Sequence, residues 1–330
     1  MDDSENISER TFGLHTSQRE TAARSNQSRR EFLKITGGAL ALAAMAPGIV
    51  SAEEAAPKKR VLKKGFMMST FPTGKMTWLE KFKVLKKAGF DGAEPPSHLD
   101  PKEILAARDE AGLEIASVVC GTHSRWMSEP AATRRQQGSD GLMQALRDAK
   151  AYGAKSVLCV AGVVNEQIPY AQAYKWTQEE IRKAVPLAEE LDVKIAIENV
   201  WNNFLLSPLE AARFVDEFKS PAVAWHFDIG NVMSIGWPEH WIRILGRRIQ
   251  TLHIKEFSRE KMNKEGLRKG FAVEYLAGDN DWPSIMKALD EIQYKGWAIV
   301  EPACGPCKEN LSPEEFVKKV SDQLDKILAS

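Results

Sequence analysis

The chain has 330 residues, 43% of them hydrophobic and 27% charged, with 45 Lys+Arg against 45 Asp+Glu. That is an ordinary globular composition, and without a basic surplus it excludes nucleic acid or another polyanion as a partner held by charge. The length admits one large domain or two ordinary ones.

Residues 1–52 read as a twin-arginine signal peptide. Ser28-Arg29-Arg30-Glu31-Phe32-Leu33-Lys34 carries the twin-arginine signature, and a mildly apolar run from Ile35 ends in the small-residue cleavage pattern Val50-Ser51-Ala52. Gly37, Gly38, Pro47 and Gly48 interrupt that run. It falls short of the about 20 apolar residues a spanning helix needs, with an uncleaved anchor as the competing reading. The expectation is export by the twin-arginine machinery to the periplasm or beyond, with no stable membrane span. Because that route carries folded protein, a metal can be loaded before export, away from competition by copper and zinc. Residues 1–52 hold six acids and six Lys/Arg, so the remaining 330 − 52 = 278 residues stay neutral. That length is close to the ~250 residues of a (β/α)8 barrel.

From Lys64 onward strand-like and helix-like segments alternate, as a parallel α/β protein requires. Gly65–Ser69 is the first strand, and Trp78, Phe82 and Leu85 mark a helix ending near Gly89. Asp91–Glu94 is a strand, Pro101–Gly112 a helix, and Leu113–Gly121 the third strand. A loop at Thr122–Ala132, with His123, Arg125 and Trp126, leads to a helix ending near Tyr152. Ala154–Gly162 is a doubly buried strand, Thr177–Asp192 a helix, and Val193–Glu198 the fifth strand. Ser207-Pro208 starts the next helix, with Ser207 as its N-cap. Then follow strand Ala222–Asp228, helix Pro238–Leu245 and strand Gln250–Lys255. The polar segment Ser258–Asn280 is either a lid or a solvated loop. Helix Trp282–Ile292, strand Trp297–Glu301 and helix Pro313–Leu328 complete eight βα units. The reading is α/β, a single-domain (β/α)8 TIM barrel over 53–330. A dinucleotide-binding open sheet would need a Gly-rich turn after the first strand, and GFMMSTFPTGK lacks one.

In such barrels the C-terminal strand ends form the active site. The tips here are Glu94, His123, Glu198, Asp228, His253 and Glu301, the last four closing strands five to eight in succession. Singly, each reads as a rim or core residue as readily as a ligand. Together, three carboxylates and an imidazole make a hard, oxygen-rich set suited to Mn2+ or Mg2+ and able to take Zn2+ or Co2+.

Residues 64–330 resemble the xylose-isomerase-like TIM barrels of the sugar phosphate isomerase/epimerase family. ENVWNNFLLSPLE, HFDIGN, LHIKEF, GDNDWP and IVEP resemble members labelled hexulose-6-phosphate isomerase. Glu198, Asp228, His253 and Glu301 fall where that family carries its metal ligands. The resemblance implies one divalent ion, Mn2+ ahead of Mg2+, Co2+ or Zn2+. It also implies an enediolate mechanism on a carbohydrate, in which Glu198 and Glu301 trade a proton from opposite faces. Ketose 3-epimerases carry His three residues after the metal Asp, where this chain has Asn231. Glu94, His123, Asn202, Asn231, Lys255 and Arg259 are the expected substrate contacts, and His226 reads as barrel filling or a supporting residue. Export argues for a substrate without phosphate. Two other readings compete: a metal-dependent lyase or hydrolase of keto-glycosides, and a non-catalytic sugar-binding barrel. Five His outside the signal segment and no basic surplus argue against an endonuclease-IV-like repair enzyme. Cys304-Gly305-Pro306-Cys307 reads as a disulfide after export, while Cys120 and Cys159 read as core. The sequence leaves a homo-oligomer open.

Overall fold

The computed structural model describes residues 60–330 except Thr73, Thr122, 304–310 and the side chain of His123. The twin-arginine stretch, the His123 side chain and the Cys304/Cys307 pair therefore lie outside the described residues.

In chain order the elements are β1 (Lys63–Met67), α1 (Trp78–Lys87), β2 (Gly92–Glu94), α2 (Pro101–Ala111), β3 (Glu114–Ile115) and β4 (Val118–Val119). Next come α3 (Ala132–Tyr152), β5 (Ser156–Cys159), α4 (Tyr170–Leu191), β6 (Lys194–Glu198), α5 (Pro208–Asp216), β7 (Val223–Asp228), α6 (Ile229–Val232) and α7 (Pro238–Leu245). The chain ends with β8 (Ile249–Ile254), α8 (Arg259–Glu265), α9 (Leu267–Gly270), α10 (Trp282–Glu291), β9 (Trp297–Val300) and α11 (Pro313–Leu328).

The strands pair in the order β3-β2-β1-β9-β8-β7-β6-β5-β4, all parallel. β3 and β4 are two halves of the expected third strand, so the ring joins through Ala116 and Ser117. β3 pairs with β2, and β4 with β5. The break has a cause in the neighbouring chain. β2 runs into Pro95 and Pro96, which have no N–H for the ladder. The Val119 amide still donates to the Pro95 carbonyl at 3.0 Å and keeps the seam shut. The chain is thus a single-domain (β/α)8 TIM barrel with one divided strand.

Helix starts follow their capping chemistry. Thr77 and Glu80 form a capping box on α1, and Ser312 and Glu315 form another on α11. Ser207 caps α5 by accepting from the Glu210 amide, with Pro208 in the first turn. Phe316, Val320, Leu324 and Ile327 of α11 all turn inward onto the core. α4 begins seven residues before its expected start at Thr177. That threonine is buried inside the helix, its hydroxyl donating back to the Ala173 carbonyl at 2.7 Å, so it caps nothing. Among the described residues no helix is long and apolar enough to cross a membrane.

The segment 258–280 is neither an open loop nor a free flap. It holds α8 and α9 and is pinned at its root by Glu256. That carboxylate accepts from the Leu276 amide at 2.8 Å, the Trp282 indole at 3.0 Å and the Phe257 amide at 3.3 Å. Gly278 lies so close that a Cβ there would stand 2.5 Å from Glu256 Oε1 and 2.4 Å from the Phe257 carbonyl. Only glycine fits this approach.

Candidate metal centre at the strand ends

Parallel register decides which side chains meet. Glu198 lies beside His226 across β6 and β7, and Asp228 beside His253 across β7 and β8. A register shift between Trp225 and His226 precedes the second pair and sets Asp228 level with His253. Glu301 follows β9 directly, its amide bonded to the Ile254 carbonyl at 3.0 Å. Stagger around the ring thus brings four residues from consecutive strand positions to one level.

Ligating atoms of Glu198, Asp228, His253 and Glu301 all lie within 4.8 Å of one another. His253 Nδ1 is 3.1 Å from Glu301 Oε2, 3.3 Å from Glu198 Oε1 and 3.9 Å from Asp228 Oδ2. Yet this buried nitrogen makes no hydrogen bond of acceptable geometry. An orphaned imidazole nitrogen facing three carboxylates is what a divalent cation satisfies. The residues present fit a bound metal ion, and an oxygen-rich set with one nitrogen accepts several divalent ions.

The electrostatics agree. Burial pushes the Asp228 carboxyl up to about 8, a rise that the nearby Lys255 charge reduces and the Glu301 and Glu198 charges reinforce. Burial raises Glu198 as well. Burial also acts to raise Glu301, but Lys255 and His253 outweigh it and hold that carboxyl well below its usual range. Burial opposes the charged forms of His253 and Lys255, yet the surrounding carboxylates push both upward. The cluster thus gathers more negative charge than its own cations neutralise comfortably, and added positive charge would relieve it.

Two neighbours fix the ligands. Asn199, next after Glu198, clamps β6 to β7: its Oδ1 accepts from the Trp225 indole at 3.0 Å and the Asp228 amide at 3.1 Å. Its Nδ2 donates to the Asp228 carbonyl at 2.7 Å. Asp228 Oδ1 caps α6 by accepting from the Asn231 amide at 2.8 Å, which leaves Oδ2 for the cluster. Gly230 lets α6 pass Lys255 closely: a Cβ there would stand 2.8 Å from the Lys255 carbonyl oxygen.

Glu94 is expected on the substrate side, but the structure places it elsewhere. It is fully buried behind His253, with Oε2 2.7 Å from His253 Nε2. A carboxylate there fixes the ring and aims Nδ1 at the cluster, the usual arrangement for a metal-ligating histidine. Glu94→Gln is therefore expected to weaken divalent-ion affinity about 10–100-fold with the fold retained, as read by calorimetric titration. An unchanged affinity would remove Glu94 from this role. His226 packs its ring 4.1 Å from that of His253 and bonds Thr251 Oγ1 through Nδ1 at 2.7 Å. Burial first, and then the His253 charge, hold His226 well below its usual range, so it is a neutral supporting residue. Glu94, His226 and His253 also form a compact set. There the His253–Glu94 bond already uses the nitrogen that a second ion would need.

A cavity of about 460 Å³ opens onto the cluster. Glu198, Asn202, Asn231, Lys255 and Glu301 line it, together with Arg125 and Trp201. Lys255 Nζ sits 2.7 Å from Glu301 Oε1 and 3.3 Å from Asp228 Oδ2. Asn231 donates from Nδ2 to the Asn199 carbonyl, and its buried Oδ1 has no protein donor, which leaves an acceptor for a hydroxyl. Asn202 is committed to the Gly162 carbonyl at 2.7 Å. Arg259 does not line the cavity. Its guanidinium donates to the Met233 and Gly236 carbonyls and stacks over Trp237, because α8 turns it toward the link between α6 and α7. Arg125 was legible only as part of a loop. Its place in the wall depends on the short 3-10 turn His123–Ser128, which no periodicity announces.

A profile of the xylose isomerase-like TIM barrel matches residues 82–326. The chain is 25% identical over 264 residues to an inosose dehydratase of Clostridium perfringens, covering 70% of this chain and 84% of that one. A 3-keto-D-glucoside 4-epimerase from E. coli superposes with a TM-score of 0.66 at 18% identity, over 82% of this chain and all of the other. The IolI protein, solved with a zinc atom bound, superposes with a TM-score of 0.68 at 16% identity, over 81% and 98% of the two chains. The structural likenesses speak to the fold, and the profile match spans most of the sequence, including all four strand-tip residues. By that match, the chain belongs to the xylose isomerase-like TIM barrel family.

Proposed function

We propose that the protein is a metal-dependent sugar isomerase or epimerase acting on a keto-sugar without phosphate. The observation that carries this is the convergence of Glu198, Asp228, His253 and Glu301 beside the cavity, with the orphaned His253 Nδ1 at their centre. A divalent cation held by these four, Mn2+ by our reading, supplies positive charge opposite the oxyanion that develops beside the reacting carbon.

The chain's own groups do the rest. Glu198 and Glu301 reach the cavity from β6 and from the end of β9, on either side of β7 and β8. A sugar carbon between them loses its proton to one carboxylate. It regains a proton from the other on the opposite face, or a neighbouring carbon does. Lys255 holds Glu301 in place by a 2.7 Å contact, and Asn231 Oδ1 accepts from a substrate hydroxyl. The twin-arginine signature supports an exported enzyme, and sugar phosphates are confined to the cytoplasm; both favour an unphosphorylated substrate.

A second reading is favoured by the inosose dehydratase relatives. The same proton abstraction leads to elimination if the electron pair left behind forms a carbon–carbon double bond while a C–O bond breaks. The departing oxygen then takes a proton. Incubation with Mn2+ in D2O separates the two. Deuterium is expected beside the carbonyl of a free ketohexose or of a 3-keto-glycoside, together with its epimer or isomer. Release of the aglycone from a 3-keto-glycoside without any epimerised or isomerised sugar overturns the isomerase reading. No deuterium uptake with either compound, together with no release of the aglycone, overturns both.

A further inference from the structure

The cavity wall is divided. Around the ring, the side formed by β6 to β9 contributes Glu198, Asn231, Lys255 and Glu301, with Val200 just beyond β6 as its apolar member. The side formed by β1, β4 and β5 contributes Met67, Val119, Leu158, Val160 and, just beyond β5, Val163. Met67, Val119 and Val163 are only half-buried, so apolar surface is presented to the cavity instead of to the core. A free ketohexose carries hydroxyls all round. Filling this side with one would strip those hydroxyls of water without offering partners.

Trp201 joins the two sides. It stands three residues beyond Glu198 in a loop tied to the turn after β5, where the Val164 amide donates to the Asn202 carbonyl at 3.0 Å. The ring of Phe271 tilts against the Trp201 ring at 6.0 Å and the Arg268 guanidinium lies over it at 5.3 Å, and Trp201 still remains 44% exposed. A large aromatic ring fixed at a cavity rim with its surface in water is a platform for a flat partner. Arg125, exposed in the same wall, adds donors for polar groups at that partner's edge.

We propose that this apolar side is a second subsite, which takes the aglycone of a glycoside: a group presenting a flat aromatic or C–H face, attached through a glycosidic oxygen to the sugar held at the carboxylate cluster. This rests on the reading of the cluster as a sugar site, and it makes the substrate a keto-glycoside instead of a free ketohexose. Trp201 and Val163 determine specificity without touching the reacting carbon.

The test is a binding measurement on the Mn2+-loaded protein, independent of turnover. Glucose, 4-nitrophenyl β-glucoside and cellobiose are titrated calorimetrically. At least one glycoside is expected to bind about tenfold more tightly than glucose, the affinity equivalent of one aromatic contact. The aryl and disaccharide arms tell an aromatic aglycone from a second sugar ring. Trp201→Ala is expected to remove most of that advantage and Trp201→Phe to retain most of it. Val163→Thr, which places a hydroxyl in the apolar wall, reduces the advantage severalfold. Glycosides that bind no better than glucose, or no binding by any of the three, overturn the proposal. So does an equal loss for glucose and glycoside in both Trp201→Ala and Val163→Thr. Failure of the isomerase reading appears instead as the absence of any epimerised or isomerised sugar and leaves these affinities untouched.

Discussion

Glu198→Gln is expected to lower kcat about 10⁴-fold, the upper end of what a positioned base contributes, and to weaken divalent-ion binding in the same variant. The protein should nevertheless fold at least as well as the wild type when no ion is present. Glu198 is almost fully buried, and burial together with the Glu301 charge raises its proton affinity. An amide of the same shape removes that repulsion and still reaches His253 Nδ1, which lies 3.3 Å from Glu198 Oε1. Activity and ion-free stability are thus expected to move in opposite directions. Turnover, calorimetric metal titration and thermal melting on one preparation check this. Retention of more than about a tenth of the activity would remove Glu198 from proton transfer, since even a modest base contributes more than that.

Lys255→Met is expected to have the largest effect on folding. The ammonium is buried between Asp228 and Glu301, and both carboxylates lose their nearest fixed cation when it goes. Leaving a buried partner uncompensated costs about 3–5 kcal/mol, and methionine fills much of the space, so the loss reports charge and not a void. The ion-free variant should therefore unfold at clearly lower urea concentration. Added Mn2+ should narrow the gap, because carboxylates freed of the ammonium bind the cation more tightly and so gain more from mass action than those of the wild type. A loss below about 1 kcal/mol, in the range of an exposed pair, would show that the carboxylates find their compensation elsewhere.

Much of this was legible in the sequence for a plain reason. A parallel strand buried on both faces reads as an apolar run, so the carboxylate that ends it stands out, as Glu198, Asp228 and Glu301 do. The Ser207-Pro208 cap placed α5 at its observed start, and the apolar face of α11 marked that helix. What escaped depends on distant partners. Glu94 meets His253 across the barrel, 159 residues away in sequence. Glu256 looks like one more polar residue after β8 until four donors from its own neighbour and from 276–282 close around it. α6 is four residues long, too short for any periodicity, and begins because Asp228 uses its spare oxygen as a cap. The third strand reads as continuous in its own sequence, and the prolines that divide it belong to its neighbour.

The ring order has a further consequence. The four convergent ligands come from one arc, β6 through the end of β9, while the apolar wall belongs to β1, β4 and β5. Substitutions in separate, non-touching groups combine nearly additively. Val119, which pairs with Leu158 and borders no ligand, can therefore drift and retune what is admitted without disturbing how it is transformed, whereas Met67 and Val160 continue the registers that lead to Glu301 and Glu198. A lineage built on this barrel can exchange one substrate for another by single steps, each leaving a working catalyst.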